Sequence, residues 1–241
     1  MLEKLEKFQV LLLSLVISAG VVIAANTVTS AITKDTVVVT GSYSQNVTSD
    51  SGNFSFELTS RAQTKAQAYE TINKQRPEVI KYLESKGFKK DEIDIKTPSG
   101  YNTYKMMPNG NSSNEIAYYN LSQNFTVRSN DVKLIKEVSS DISNLISQNI
   151  DINAYEPQYF YSKLSDMKVK MLQEATKDAK SRASAMLKST NNRVGKIQSV
   201  KMGVFQVTPV DSNDVSDMGI SDTSSIEKKI TSVANVTFSV K

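Results

Sequence analysis

Acidic side chains gather at two places where they could do chemistry. Asp91, Glu92 and Asp94 stand together in "KKDEIDIKT", and Asp211, Asp214, Asp217 and Asp222 recur through "DSNDVSDMGISDT". Paired carboxylates act as general acid and base when their surroundings drive their pKa values apart. The first group lies at the entry to a strand, where solvated charge is the simpler account. The second lacks the spacing of an EF-hand. It reads as a mobile acidic loop, with a weak divalent-ion site as the alternative. An aromatic run, Tyr155, Tyr159, Phe160 and Tyr161 in "AYEPQYFYS", reads as strand and core packing, with an exposed contact surface as its alternative.

Two absences narrow the chemistry further. The chain has no cysteine and no histidine. Disulfides, thiolate nucleophiles, imidazole ligands and the Ser-His-Asp arrangement are therefore ruled out. No G-x-S-x-G, P-loop or G-x-G-x-x-G motif occurs. The chain reads as non-enzymatic, with no catalytic, cofactor-binding or metal-ligating residue assigned. Lys and Arg total 29 against 25 Asp and Glu. The basic residues are dispersed among acidic ones, so no nucleic-acid stripe forms. The Asn-X-Ser/Thr triplets at Asn46, Asn53, Asn111, Asn120, Asn124 and Asn235 are read as ordinary polar positions.

The elements that must position these residues begin with an apolar segment. "FQVLLLSLVISAGVVIAA" carries no charge, and includes Phe8, Leu12, Leu15, Val22 and Ala25. As a helix it is long enough to cross a bilayer. An uncleaved anchor is the preferred reading. A cleaved signal peptide ending near Ala25 is the alternative, although Ile23 is a poor residue three positions before that cut. A buried core helix is the third. The first two both imply export, to the periplasm and at the inner membrane if anchored.

Beyond residue 35 the pattern is mixed. "TVVVTGSYSQNV" and the alternating "FSFELTS" read as two strands joined by a hairpin turn. A helix over about 64–86 presents Tyr69, Ile72, Val79, Ile80 and Leu83, stops at Gly87, and is kinked or divided at Pro77. Strands through Ile93 and Ile95, "YNTYKM" and "YNLSQNFTV" follow. A second helix, capped by Asn130 or Asp131, carries Leu134, Ile135, Val138, Ile142, Leu145 and Ile146. A third helix spans about 165–188. "VGKIQSVKMGVFQV" is a strand bent near Gly203. In the last strand, "KKITSVANVTFSVK", Ile230, Ala234, Val236, Phe238 and Val240 share one face.

Two stretches repeat an order. "NFSFELTS", helix, "IDIKT…YNTY", "YNLSQNFTV" is one β-α-β-β unit, and "PQYFYSKL", helix, "GKIQSVKMGVFQV", "ITSVANVTFSV" is another. The expected fold is α+β: two β-α-β-β-like units with helices packed on antiparallel sheet, preceded by one N-terminal apolar helix. Residues 1–33 are expected to form the membrane anchor or signal segment and 36–241 the body. In the third helix Ala175, Ala179 and Ala183 repeat every four residues, so one face is lined by small side chains. Something approaches that face closely, either another element of this chain or a second subunit.

The body resembles the SIMPL-domain family, a domain of unknown function. A V-x-V-x-G strand appears as Val37, Val39 and Gly41. A helix ends at Gly87 and leads to Ile95, Thr97, Tyr101 and Tyr104, then to "YNLSQNFTVRS". An A-x-x-D-A-x-x-x-A helix appears as Ala175, Asp178, Ala179 and Ala183, followed by Gly195, Ile197 and "VANVTFSV". The resemblance covers about residues 36–241. It departs at Tyr43, where a second glycine is common, and at Lys168 and Lys170, where arginine is common. It implies an exported envelope protein, with ring-like oligomers and tolerance of oxidative stress in some members, and no established catalytic residues. The resulting expectation is a homo-oligomer at the inner membrane that binds protein partners and no nucleic acid. A soluble periplasmic binding or chaperone-like module is the runner-up, and a hydrolase or metal-dependent enzyme the third reading.

Overall fold

A computed structural model describes residues 15–24 and 35–241 of the 241-residue chain. It is an α+β protein. Residues 15–24 are helical (α1). The chain then runs β1 (Thr36–Thr48), β2 (Ser51–Ala62), α2 (Lys65–Lys86), β3 (Ile93–Ile95), β4 (Ser99–Met106), β5 (Ser112–Ser129), α3 (Val132–Asp141), β6 (Ile152–Ala154), β7 (Gln158–Phe160), α4 (Leu164–Lys188), β8 (Val194–Met202), β9 (Gln206–Pro209), β10 (Ile220–Ser221) and β11 (Glu227–Val240). These elements divide into two compact units. The larger comprises Ser44–Val169 and Phe205–Thr231, and the smaller Met1–Tyr43, Lys170–Val204 and Ser232–Lys241.

The larger unit is built on β2 and β5, paired antiparallel from Gly52↔Ser129 to Ala62↔Tyr119. β2 alternates strictly, so Phe54, Phe56 and Leu58 point to one face, where α2 and α3 cover them. Phe56 stacks on Phe125 at 5.1 Å between centroids. β3 and β4 extend the sheet beyond β5, and β6 and β7 pair with β2. β9 pairs antiparallel with Lys228–Thr231 of β11, and β10 adds to it in parallel.

The helices follow their caps. Thr64 Oγ1 accepts from the Gln67 N–H at 3.2 Å, and Gly87 closes α2 in the left-handed region at φ 111°. α2 is one helix through Pro77, neither divided nor restarted. Its buried face is Ala68, Ile72, Val79 and Leu83, while Tyr69 turns outward. Asp131 caps α3 by accepting from the N–H groups of Lys133 and Leu134. The expected continuous second helix instead tightens into a 3₁₀ segment, Ile142–Gln148. Three residues per turn keep Ile142 and Leu145 inside and put Ile146 outside.

Two strand pairings differ from expectation. β1 and β2 are not partners: β1 pairs with β11, and β2 with β5, β6 and β7. The break between them is fixed by hydrogen bonds elsewhere. Ser49 N–H donates to the Ile226 carbonyl, and the Asp50 carboxylate accepts from the Ser162 N–H and hydroxyl. "PQYFYSKL" contributes three paired residues, and they join β2 at Ser51–Asn53.

In the smaller unit, residues 232–240 of β11 lie between β1 and β8. α4 lays Ala175, Ala179 and Ala183 against Val39, Ala234, Val236 and Phe238.

Candidate interaction site

The smaller unit explains why α4 carries alanines. Gly41 of β1 sits so close that a methyl group added there would overlap the Ala175 carbonyl oxygen and the Ala179 backbone. All three alanines have 0% exposure. Asp178, within the same motif, accepts the Ser42 N–H at 2.8 Å and pairs with Arg182, also at 2.8 Å. The V-x-V-x-G strand and the A-x-x-D-A helix are therefore two sides of one joint. Of the two partners weighed for Ala175, Ala179 and Ala183, the structure shows the chain's own elements: β1 and β11 are the close neighbours of the row.

The unit's unfilled surface lies on β8. Ile197, Val200 and Met202 stand opposite Phe238, Val236 and Ala234, so they share the face that is core on β11. The core residues are buried, yet Ile197, Val200 and Met202 are 50%, 43% and 56% exposed. α4 covers β1 and β11 but leaves this strip bare. Among the described residues β8 pairs with β11 alone, so its far edge of N–H and C=O groups is open. On the opposite edge, β1, the Ser42 N–H is taken by Asp178. Periodicity alone did not mark this strip, because a register shift near Phe238 breaks the alternation of β8.

The acidic groups are separated by the fold. Glu92 accepts the Lys89 N–H, and Asp94 pairs with Lys96 at 3.0 Å. Asp211, Asp214 and Asp217 remain exposed, and no cluster of three metal-ligating side chains forms among the described residues. Asp222 leaves the loop altogether. Its carboxylate meets Lys228 Nζ at 3.1 Å, with Lys228 1% exposed, and it takes the hydroxyls of Ser224 and Ser225. Lys228 also donates to the Asp222 carbonyl at 2.8 Å. Burial alone would raise the Asp222 carboxyl, but these hydrogen bonds outweigh it and hold the carboxyl well below the ordinary aspartate range. The signal was present in β11: Lys228 is two residues before Ile230 and so falls on its inward face.

The aromatic run is split, with Tyr159 buried and Tyr155 and Phe160 exposed. Of the N-terminal positions, Leu15 and Val22 lie on α1 and are exposed. Phe8, Leu12 and Ala25 lie outside the described residues. No helix among the described residues is long and apolar enough to cross a membrane.

These features define a two-unit α+β protein with a tightly seated helix and a bare strip on the edge strand β8. A family model described as SIMPL, protein of unknown function (DUF541), matches residues 37–240, and the chain belongs to that family. No curated protein matches it.

Proposed function

We propose that this protein is exported, is held at the outer face of the inner membrane by its N-terminal segment, and works by association rather than catalysis. The observation that carries this reading is β8, an apolar strip beside an open strand edge. Its partner is a second copy of the chain. Such an edge can pair with the same edge of a second copy about a two-fold axis. The anchor is supported by the uncharged sequence over residues 8–25 and by α1, where Leu15, Ile17, Val21, Val22 and Ile23 are all exposed on a helix apolar on every side.

The test is light scattering after size exclusion, on the full chain in detergent. The expected protein mass is twice 26.6 kDa. Val200→Lys is expected to return it to one chain without lowering the melting temperature. A wild-type mass of one chain at every concentration overturns association through β8. Sequencing the exported protein separates the two N-terminal readings: an intact start supports the anchor, and a start at Asn26 makes the protein a free periplasmic module.

A further inference from the structure

The larger unit's sheet has a second face, opposite α2 and α3, and strand register sets its side chains in rows. Tyr101, Asn120 and Arg61 form one row across β4, β5 and β2. Ser99, Ser122 and Thr59 form the next. Asp151 joins that row because the Thr59 N–H donates to its carbonyl at 2.9 Å. Asn124, Glu57 and Asn153 form the third. Neighbouring strands are about 4.8 Å apart and successive rows about 7 Å. The rows border a cavity of about 510 Å³, lined in part by Glu57, Arg61, Tyr101, Asn120, Asp151 and Asn153. Ligand clefts typically fall between about 300 and 1,000 Å³.

The charges decide what fits. An anion would meet Glu57 and Asp151, and a bare cation would meet Arg61. None of the three forms an ion pair with another side chain among the described residues. The Arg61 guanidinium lies over the Tyr118 ring at 4.2 Å. Carboxylates that accept, a guanidinium that donates and amides that do both suit groups that donate and accept in turn, which is the chemistry of neighbouring hydroxyls. Tyr101, 71% exposed at the end of its row, presents a flat ring to the C–H face of a sugar.

We propose that this cavity binds a neutral polyhydroxylated ligand, a glycan residue stacked on Tyr101 and hydrogen-bonded by Glu57, Arg61, Asp151 and the amides between them. The proposal is independent of pairing through β8. It is tested by calorimetry and ligand-observed NMR on the full chain, in a detergent without a sugar headgroup. The probes are maltotetraose and the tetramer of N-acetylglucosamine. At least one is expected to bind, and Tyr101→Ala and Asp151→Asn are each expected to weaken binding about tenfold. Both positions are exposed, so the melting temperature should not move. Absence of binding by both probes overturns the proposal, as does binding that both variants leave unchanged. Binding of glycylglycine or inorganic phosphate in place of the sugars would make the cavity a site for charged ligands and overturn it equally.

Discussion

At Ala179 one methyl group decides whether α4 can sit on β1. The side chain is fully buried, and Gly41 faces it without room for a Cβ. Ala179→Leu should destabilise the protein by about 1–3 kcal/mol or more, since overpacking a filled core forces backbone shifts. Gly41→Ala should act in the same direction for the same reason. Denaturant melts of both variants check this. A melt unchanged from wild type would mean that the joint is looser than its geometry. The Asp222–Lys228 pair obeys a different rule. Asp222→Asn leaves the Lys228 ammonium buried without its counter-charge, at a cost of about 3–5 kcal/mol. The pair also has a pH signature. Asp222 is depressed in the folded chain, so the unfolded chain takes up the proton first as the pH falls. The stability this carboxylate contributes is complete above the ordinary aspartate value of about 4 and drains away below it. Melts of wild type and Asp222→Asn from about pH 6 to about pH 3 should therefore converge as the pH drops.

Among the elements, α2 is held at both ends by local chemistry. Thr64→Ala removes the hydroxyl that accepts from Gln67 and should cost about 1 kcal/mol in a thermal or denaturant melt. A loss near zero would place the helix start elsewhere. α3 and its 3₁₀ extension show how an element can keep its buried face while changing its period. Val132, Ile135 and Val138 follow the helix, and Ile142 and Leu145 follow the tighter turn. β8 is poorly covered, with seven of its nine residues exposed. Its strip belongs to the same face as the unit's core, and the width of one helix is not enough to reach it. The proposed pairing makes that strip the first target for a charge substitution.

At the scale of the molecule, the chain is two compact units, and several elements contribute residues to both. β11 supplies Lys228–Thr231 to the pairing with β9 in the larger unit and Ala234–Val240 to the pairing with β8 in the smaller. Each unit carries one of the two proposed binding surfaces: an apolar edge on the smaller, and a polar, concave sheet face on the larger. The two make separable predictions, one read as mass and the other as ligand binding, so either can fail without the other. An anchor at residues 8–25 would place both surfaces on the exported side of the membrane.

Alternation and capping made much of this legible from the sequence. Phe54, Phe56 and Leu58 announce a half-buried strand. Thr64 and Gly87 bracket a helix, and Ala234, Val236 and Phe238 share a face because strand geometry has a period of two. The V-x-V-x-G and A-x-x-D-A motifs marked the family, and the alanine spacing predicted close approach. Local patterns depend on neighbours along the chain, so they survive without knowledge of the fold. Which partner each strand takes depends on residues far apart in sequence. Only the tertiary structure could separate β1 from β2, turn Gly41 toward Ala179, or draw Asp222 out of an acidic loop to Lys228. The same holds for the two candidate surfaces. The β8 strip is bare because α4 ends its cover at β11, and the cavity exists because three strands bring Tyr101, Asn120 and Arg61 onto one face.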